Sequence, residues 1–367
     1  MLVNLAYLLN RPTGTTNYAL NLLPYLDTLS PTYLATSASG LTHYTPVPDN
    51  MTAADGIAGH LRRLRWTQFN LKKYCKTQSS ALFSPIPEAP LFFSAQNRPQ
   101  TVVTFHDLTP LRFPDDFGGI KFFFRYYVPQ VLAQAEAIIC DSEASARDVV
   151  TFYGIPARKL ISIPLAHDHQ HFRPTSALPQ LPGEKDLTSR PYFLMLGRQA
   201  PHKNIGRVIA AMSSVPSEFS LLIAGPSDPR YTPRLKAQAD ELGVRSQVKF
   251  LDYVLYNQLP ALLSHAHALV FPSLWEGFGL PVLEAMACGT PVITTCTSSL
   301  PEVVGDAALL IDPYDLESIA AAMNQVCHDS SLRKQLSIAG LARAQNFSWQ
   351  ATGQATVEVL SHVLGKS

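Results

Sequence analysis

The segment 270–291, VFPSLWEGFGLPVLEAMACGTP, predicts the end of a buried strand, a glycine loop and a helix in direct succession. The apolar run at 268–271 is typical of a buried parallel strand. The loop after it contains Gly277 and Gly279, which permit positive φ and close approach of the backbone to a ligand. Strand–loop–helix units of this kind build α/β folds, so this segment restricts the chain to that class.

The helix predicted after the loop has clear signals at both ends. Pro281 suits its first position, Cys288 lies in its last turn, and Gly289 suits the residue just beyond it. Three backbone N–H groups at or just before the helix start lack intrahelical partners, and the helix dipole is positive there. They belong to Phe278, Gly279 and Leu280. The sequence therefore predicts an anion site that suits a diphosphate.

Two carboxylates flank this predicted anion site, with seven residues between them. Glu276 lies at the strand end and Glu284 lies one turn inside the helix, and each can accept hydrogen bonds from hydroxyl groups. Taken singly, Glu284 would only complement the dipole of its helix, and Glu276 would be a solvated loop residue. Together with the glycines, the proline and the aromatic pair Trp275 and Phe278, they favour a site for a sugar nucleotide.

This segment resembles the Glu-x7-Glu signature of family 4 of the retaining glycosyltransferases, which have the two-domain GT-B fold. In that family the first glutamate contacts the donor sugar and the second binds the ribose hydroxyls. The resemblance therefore implies these roles for Glu276 and Glu284, and it implies that the amides at 278–280 face sugar and phosphate. It extends over nearly the whole chain.

A second predicted strand end carries two cations. The strand at 192–196 is followed by Arg198 and Lys203, and then by a helix for which Asn204 is a plausible N-cap. No acid lies between the two cations, and a guanidinium and an ammonium can neutralise a departing diphosphate. The alternative is a pair of solvated loop cations. Because the family has the same Arg and Lys before a similar Asn, the resemblance implies that both bind phosphate.

The segment TVVTFHDLTP at 101–110 predicts a strand that ends in His106 and Asp107, with Asp107 placed to orient the imidazole. A histidine at a strand end is commonly a structural hydrogen-bonding residue. The same His-Asp pair contacts the donor sugar in mannosyl-transferring members of the family, so the resemblance implies a site role for His106. It also makes GDP-mannose the first donor to consider, with UDP-sugars as the alternative, and it implies that the leaving phosphate takes the acceptor proton without a protein general base.

Other residues complete the predicted donor site. The loop at 11–17 resembles the family's first-domain glycine loop, although it has Gly14 alone where the family often has two adjacent glycines. We expect the nucleotide base near Gly225 and near Tyr253 and Val254, where two strands end. No residue there distinguishes guanine from uracil. In the first domain, Ser142 after the strand at 137–140 is predicted to cap a helix that ends at Gly154.

The segment HDHQH at 167–171 has the composition of a metal site. Relatives usually have Pro-Asn-Gly-Val-Asp there, so the resemblance implies a hinge role for Asp168 instead. The chain also lacks an Asp-x-Asp motif of the kind that holds a metal under a nucleotide sugar. We therefore expect neither a metal nor a cofactor.

A chain of 367 residues suits two domains, and its predicted strands fall into two groups. The first group covers 2–9, 101–105, 137–140 and 161–164, with a helix near 17–29, and the second covers 192–196, 220–224, 248–251, 268–271 and 291–294. We expect an N-terminal acceptor-side domain at 1–172, a connection at 173–190, and a nucleotide-sugar-binding domain at 191–346. The resemblance implies that a helix at 347–367 crosses back to the first domain. The predicted fold is GT-B, with two facing Rossmann-like doubly wound α/β domains and an interdomain cleft.

Charge and apolar patterning restrict the partners. A net charge of +1 argues against a nucleic-acid partner, and five cysteines without metal spacing favour a cytoplasmic location. No apolar run is long enough to span a membrane. The segment 60–76 has six cations and no acid, interleaved with aromatic residues, and 117–128 is rich in aromatic residues. Both suit contact with anionic lipid, although a solvated helix with its other stripe in the core is the competing interpretation.

These features predict an enzyme that moves a hexosyl group, with mannosyl as the first choice, from a nucleotide diphosphate sugar to an acceptor hydroxyl with retention of configuration. The acceptor would be a glycan or a lipid-linked glycan of polysaccharide biosynthesis. The alternative is a non-catalytic sugar-nucleotide-binding protein, which would tolerate the loss of His106 and Glu276. A nicotinamide oxidoreductase is disfavoured because no Gly-x-Gly-x-x-Gly turn follows an early strand.

Overall fold

The computed structural model describes residues 1–9, 13–77, 81–91, 98–181 and 189–365. It divides the chain into two compact units, one of Met1–Leu165 with Trp349–Ser367 and the other of Ala166–Ser348. The connection predicted at 173–190 falls inside the second unit, and its residues 182–188 lie outside the described ranges.

The first unit contains, among its described residues, a sheet of seven parallel strands in the order β3-β2-β1-β4-β5-β6-β7. The strands are β1 (Leu2–Leu5), β2 (Thr32–Ala35), β3 (Thr45–Pro46), β4 (Ala81–Ser84), β5 (Gln100–Phe105), β6 (Ala137–Cys140) and β7 (Leu160–Ser162). The prediction of β1, β5, β6 and β7 is confirmed, although β1 ends four residues earlier than expected. The sequence did not predict β2, β3 and β4.

Helices cover this first sheet. They are α1 (Gly14–Leu26), α2 (Gly56–Trp66), α3 (Lys72–Thr77), α4 (Thr109–Arg112), α5 (Ile120–Phe122), α6 (Val128–Gln134) and α7 (Glu143–Tyr153). Two π-helical turns, Thr67–Leu71 and Phe123–Tyr127, join α2 to α3 and α5 to α6. The Oγ of Ser142 accepts the N–H of Ser145, and Gly154 has φ 65°, so both predicted ends of α7 are confirmed.

The second unit contains, within the described ranges, a sheet of six parallel strands in the order β10-β9-β8-β11-β12-β13. The strands are β8 (Tyr192–Leu196), β9 (Ser220–Ala224), β10 (Val248–Leu251), β11 (Ala268–Phe271), β12 (Val292–Thr295) and β13 (Leu309–Ile311). The prediction of β8 to β12 is confirmed to within one residue, and only β13 of this sheet was missed. The strands β8, β9, β11 and β12 are mainly apolar and almost fully buried, which is why the pattern predicts them well.

Helices also cover the second sheet. They are α8 (Ile205–Ala211), α9 (Thr232–Glu241), α10 (Leu259–Ser264), α11 (Leu280–Ala287), α12 (Leu300–Val304), α13 (Leu316–His328) and α14 (Ser330–Ala344). In α11, Pro281 is the second residue and not the first, and Cys288 is the C-cap. Gly289 has φ 75°, as expected for the residue that ends the helix.

The last helix, α15 (Trp349–Val363), belongs to the first unit and packs against α1. A Cβ at Gly353 would lie 2.2 Å from the ring of Tyr25, so only glycine permits this approach of the two helices. The Oγ1 of Thr352 donates to the carbonyl of Pro164 at 2.8 Å. The C-terminal residues thus form part of the core of the N-terminal unit.

Candidate functional site

Four neighbouring strands of the second sheet bring most of the predicted donor-site residues to one edge. The strands β10, β9, β8 and β11 are adjacent and parallel, so their carboxyl ends meet at the same edge, where open α/β sheets bind ligands. The residues that follow these strands are, in the same order, Tyr253 and Val254, Gly225, Arg198 and Lys203, and Glu276 with Glu284.

Lys203 and Glu276 form an ion pair at this edge. The Nζ of Lys203 lies 2.6 Å from Oε1 of Glu276, and the side chains are 18% and 14% exposed. The lysine chain runs over Gly197, where an added Cβ would be 3.5 Å from its Cε, and its Nζ is 5.2 Å from the centroid of the Phe271 ring. This charge-assisted hydrogen bond holds the Glu276 carboxylate in place.

Arg198 pairs with Asp228, a residue that the sequence analysis did not single out. The Nη2 of Arg198 lies 3.2 Å from Oδ2 of Asp228, and Arg230 lies 2.9 Å from the same oxygen. Hydrogen bonds from Arg230, together with the charges of both guanidinium groups, hold the pKa of the buried Asp228 carboxyl well below its usual range.

The expectation that the two cations lack acidic partners is therefore wrong. No acid lies between Arg198 and Lys203 in the sequence, but Asp228 follows the neighbouring strand β9 and Glu276 follows the neighbouring strand β11. The partners come from other strand ends, so the local sequence could not reveal them. A ligand diphosphate would meet cations that are already positioned by acids.

The start of α11 is built as an anion site would require. Gly279 has φ 115°, and an added Cβ would lie 2.7 Å from Cδ2 of Leu300, so only glycine fits. Among the described residues, it is Gly279 and not Gly277 that adopts positive φ in this loop. Within the same described ranges, no acceptor is bonded to the N–H groups of Phe278, Gly279 or Leu280. These donors remain available to a ligand.

Glu284 lies one turn inside α11 and is half-buried. Burial raises the pKa of its carboxyl to about 8. At neutral pH the group is therefore largely protonated before a ligand binds, because the charged form is poorly solvated at this position.

The three residues predicted to lie near the nucleotide base differ in conformation and in exposure. Gly225 has φ 144°, and an added Cβ would lie 2.1 Å from the carbonyl oxygen of Gly197. Gly225 is thus required where the ends of β8 and β9 approach each other. Tyr253 is exposed, whereas Val254 is buried.

His106 lies in the first unit and is hydrogen-bonded at both ring nitrogens. Phe105 pairs with Cys140 in the β5–β6 register, so the next residues, His106 and Asp141, are neighbours. The Nδ1 lies 2.7 Å from Oδ2 of Asp141, and the Nε2 lies 2.9 Å from the carbonyl oxygen of Pro85. A carbonyl only accepts, so Nε2 carries a hydrogen and cannot serve as a base.

The predicted partner of this histidine, Asp107, is wrong. Its Oδ1 accepts the N–H of Thr109 at 2.9 Å, which closes a local turn. Asp141 takes the predicted role: burial disfavours the imidazolium, but the Asp141 carboxylate and the hydrogen bonds outweigh this and raise the pKa of His106. The signal was present in the sequence, since both residues directly follow buried strands.

Two further residues have surroundings that differ from those expected. Gly14 is the exposed first residue of α1, whose N-cap is Thr13, and so does not lie in a free loop; residues 10–12 are outside the described ranges. Asn204 occupies the N-cap position of α8 with φ 61°, but its side chain donates to the carbonyls of Pro272 and Pro313 and makes no capping hydrogen bond.

The histidine-rich segment at 167–171 makes local hydrogen bonds. His169 and His171 lie 3.0 Å and 2.9 Å from the carbonyl oxygens of Phe347 and Tyr256. Asp168 accepts the N–H groups of residues 170 and 171. In the described part of the chain, no group of three or more His, Cys, Asp or Glu residues is arranged to hold a metal ion.

The predicted lipid-facing segment 60–76 is only partly exposed. Arg63 is buried and forms two hydrogen bonds from Nε and Nη2 to the Glu88 carboxylate at 2.9 Å and 2.8 Å, and Trp66 is buried as well. The count of six available cations is therefore wrong. Within the described residues, no helix has the length and apolar character needed to cross a bilayer.

Comparison with known proteins agrees with this geometry. The model of Glycosyltransferase Family 4 matches residues 12–171, and that of Glycosyl transferases group 1 matches residues 182–343. O-antigen chain mannosyltransferase B of Escherichia coli is 32% identical over 306 residues, which cover 81% of this chain and 77% of that protein. The serotype-specific mannosyltransferase WbdA of Escherichia coli is 31% identical over 283 residues, which cover 74% of this chain but 35% of WbdA.

Solved structures share the fold over nearly the full chain. Sucrose-phosphate synthase from Thermosynechococcus elongatus superposes with a TM-score of 0.76 at 19% identity, covering 100% of both chains. HepE from Anabaena, in complex with UDP and glucose, superposes with a TM-score of 0.75 at 19% identity, covering 98% of this chain and 99% of HepE. The fold and the strand-end site thus define a glycosyltransferase of the GT-B class. Within that class, the chain belongs to glycosyltransferase family 4.

Proposed function

We propose that this enzyme transfers a hexosyl group from a nucleotide diphosphate sugar to an acceptor hydroxyl, with retention of the anomeric configuration. The observation that carries the proposal is the Lys203–Glu276 pair at 2.6 Å beside the helix start at Gly279. A cation for phosphate, a carboxylate for sugar hydroxyls and unbonded amides are thereby brought together at one edge of the sheet. A structural ion pair alone would not require the third of these.

The cations would act on the leaving group. When the bond between the sugar C1 and the phosphate oxygen breaks, negative charge grows on the diphosphate. Arg198, Lys203 and the amides at the start of α11 are groups that stabilise such charge, and the acids beside the cations orient them beforehand. Because these residues supply positive charge, we propose transfer without a metal ion or cofactor.

The carboxylates would divide the sugars between them. Glu276 would accept hydrogen bonds from the donor hexose, and Glu284 would accept them from the ribose. Gly225, Tyr253 and Val254 would lie along the base. We also propose that residues 1–172 hold the acceptor and residues 191–346 hold the nucleotide sugar.

His106 would act as a fixed hydrogen-bonding or positively charged group and not as a general base. Its Nε2 is a donor, and its Nδ1 is engaged by Asp141. The acceptor proton would instead pass to the leaving phosphate oxygen as the new glycosidic bond forms, so no protein base is needed.

GDP-mannose is the first donor to test, because the similar proteins from Escherichia coli are an O-antigen chain mannosyltransferase and a serotype-specific mannosyltransferase. The same similarity supports a glycan or a lipid-linked glycan as acceptor. UDP-sugars are the alternative donors, given the UDP complex of HepE.

A panel of GDP- and UDP-sugars tests this proposal. Each is scored for thermal stabilisation of the protein and for slow hydrolysis to free sugar, in the presence of a chelator. We expect one donor class to do both, and Glu276→Gln to abolish hydrolysis while stabilisation persists. Stabilisation without hydrolysis by the wild type would favour the non-catalytic binding protein, and the absence of both effects would refute the donor site.

We also propose that the first unit binds the anionic cytoplasmic face of a membrane. Along 56–77, every fourth residue lies on one exposed face: Ile57, Leu61, Arg65, Phe69 and Lys73. Phe122 at the end of α5, and Arg125 and Tyr126 in the π-helical turn that follows it, are exposed in the same unit. Apolar side chains interleaved with cations on one helical face suit the interface of an anionic bilayer.

Co-sedimentation with vesicles tests this second proposal. Leu61→Asp should weaken binding to phosphatidylglycerol vesicles, and Ile338→Asp in the second unit is the matched control, since both side chains are 59% exposed. Equal binding by both variants, or equal binding to neutral vesicles, would contradict the proposal.

A further inference from the structure

A row of hydroxyl groups runs alongside the loop that carries Glu276. Phe271 pairs with Thr294 in the β11–β12 register, so the residues after the two strands continue side by side. Three of these hydroxyls donate to carbonyls of the loop and are called here the hydroxyl ladder: Thr295 to Ser273, Thr297 to Leu274, and Ser299 to Glu276 and Phe278. Thr295 and Thr297 donate to carbonyls that precede Glu276 in the loop. Ser299 donates to the carbonyls of Glu276 and Phe278, within the candidate site.

Ser299 makes the strongest of these contacts. Its Oγ lies 2.7 Å from the carbonyl oxygen of Phe278 and 3.0 Å from that of Glu276, and the side chain is fully buried. One hydroxyl proton shared by two carbonyls holds them at a fixed separation. The carbonyls of the Glu276–Gly277 and Phe278–Gly279 peptide units therefore both point at Ser299.

This arrangement fixes the direction of a site amide. In a trans peptide the N–H points opposite to the C=O of the same unit. Because the Phe278 carbonyl points to Ser299, the N–H of Gly279 points away from Ser299. That N–H is one of the donors at the start of α11 for which no described acceptor exists.

The backbone beside Ser299 is strained. Ser298 has φ 58°, a left-handed conformation that is unfavourable for any residue with a Cβ. Its Oγ is buried and has no hydrogen-bond partner among the described residues. Ser298 thus combines backbone strain with an unsatisfied hydroxyl. This indicates that the surrounding structure holds the chain in this turn, which places the neighbouring Ser299.

We propose that Ser299 is a positioning residue of the donor-sugar site. By holding the carbonyls of Glu276 and Phe278, its hydroxyl presents the Glu276 carboxylate and the Gly279 N–H to the sugar and the phosphate attached to it. This inference rests on the proposed glycosyl transfer and adds to it a residue that touches neither substrate nor leaving group.

The proposal predicts different effects of one substitution on turnover and on nucleotide affinity. Glu284 and Arg198, which would hold the nucleotide, receive no hydrogen bond from the ladder. Ser299→Ala should therefore lower kcat for donor hydrolysis by about 10- to 100-fold, as expected for a small misplacement of a reacting group. The affinity for the nucleoside diphosphate alone, measured by calorimetry with GDP or UDP, should fall by a smaller factor than kcat, because Glu284 and Arg198 stay in place and only the Gly279 N–H is shifted.

Thr290→Val is the matched control. Its Oγ1 donates to the carbonyl of Leu263 at 2.8 Å in the same unit and is buried like that of Ser299. Both variants remove one buried hydroxyl and leave carbonyls without a donor, so their melting temperatures should fall together while only Ser299→Ala loses turnover. Ser299→Cys keeps the shape with a weaker donor and should give an intermediate rate.

Amide hydrogen exchange without ligand tests the proposal independently of activity. Residues 276–280 should exchange faster in Ser299→Ala than in Thr290→Val. Equal exchange in the two variants, or turnover of Ser299→Ala equal to that of the control, would overturn the role of Ser299. A wild-type protein that binds no nucleotide would refute the proposed function instead, and the exchange comparison would still decide the role of Ser299 in ordering the loop.

Discussion

In the second unit Arg198 is 61% exposed while it pairs with Asp228, whereas in the first unit His106 has both ring nitrogens bonded within the fold. The Arg63–Glu88 pair of the first unit is closed in the same way, with side chains 11% and 2% exposed. Both units are parallel sheets with charged groups near strand ends. They differ in whether a ligand can reach those charges.

This difference has an energetic basis. An exposed ion pair contributes about 0–1 kcal/mol, so a diphosphate can take over one of its partners at small cost. Removing one partner of a buried pair costs about 3–5 kcal/mol, because the remaining charge has neither water nor a counterion. Arg63 and Glu88 of the first unit therefore hold the fold, whereas Arg198 of the second unit remains available to a ligand.

The largest effect should come from breaking a closed pair. Glu88→Ala leaves the Arg63 guanidinium buried without its bidentate partner, and we expect a loss of about 3–5 kcal/mol in the free energy of unfolding. Urea denaturation measures it. Glu136→Ala removes the partner of Arg98 from a pair in which both side chains are exposed, and it should change stability by less than about 1 kcal/mol. Similar losses for both variants would show that a buried ion pair and an exposed ion pair contribute equally to stability, contrary to this comparison.

Breaking the half-buried Lys203–Glu276 pair of the candidate site should instead cost activity. Glu276→Ala removes a group proposed to contact the donor sugar, and we expect kcat to fall by about 10²- to 10³-fold. The variant also frees the Lys203 ammonium, which Glu276 holds at 2.6 Å, so the affinity for a nucleoside diphosphate should stay equal or rise. Steady-state kinetics and calorimetry measure the two quantities. A parallel loss in both would contradict the division of roles.

The next prediction concerns Asp141, which is hydrogen-bonded to His106 in the first unit. Asp141→Asn removes the carboxylate that raises the pKa of His106, so the imidazolium should lose its proton at a lower pH than in the wild type. We expect the rate to fall by about 10- to 100-fold if His106 positions the sugar. NMR titration of the imidazole and kinetics together test this.

Asp107→Asn is the control for that experiment, because an Asn oxygen can still accept the N–H of Thr109. We expect it to lower the pKa of His106 less than Asp141→Asn does, because Asp107 acts only through its charge, and to leave the rate close to the wild type. A larger effect of Asp107→Asn than of Asp141→Asn would mean that Asp107 orients the His106 imidazole, as the sequence predicted.

The sequence predicted most fold elements with uniform burial, although it missed the fully buried β4 (Ala81–Ser84). The strands β8 to β12 are largely buried apolar runs of four or five residues, and such runs are recognisable without their neighbours. The strands β2, β3 and β13 are short and partly exposed, so they carry little pattern. The helix start at Gly279 was predictable because its signals are local.

Pairing between strand ends was not predictable in the same way. Lys203 and Glu276 are 73 residues apart and meet only because β8 lies next to β11. Asp228 and Asp141 likewise depend on sheet order. A motif identifies residues that bind a ligand, whereas the partners that orient them depend on topology. The same reason explains why Arg63 was counted as a free cation although Glu88 neutralises it.

The smallest predicted effect concerns Glu284. Its side chain is half-buried, so it is neither enclosed like Glu88 nor exposed like Arg198. Burial raises the pKa of its carboxyl to about 8. In the folded protein this carboxyl keeps its proton at pH values where the unfolded chain, with an ordinary value of 4.5, has lost it. Stability contributed by this group is therefore highest at low pH, declines as the pH rises from 4.5, and levels off above about 8.

Ligand binding should depend on pH in the opposite direction. Ribose hydroxyls donate to a carboxylate, so binding favours the ionised form of Glu284. Nucleotide affinity should rise by up to about tenfold between about pH 7 and pH 9, because the ionised fraction grows roughly tenfold there. Calorimetry in buffers of different ionisation enthalpy should also detect proton release on binding at neutral pH. Glu284→Gln, which cannot ionise, should flatten both dependences; if it does not, another group near the diphosphate controls the pH response, and Glu284 does not bind the ribose as a carboxylate.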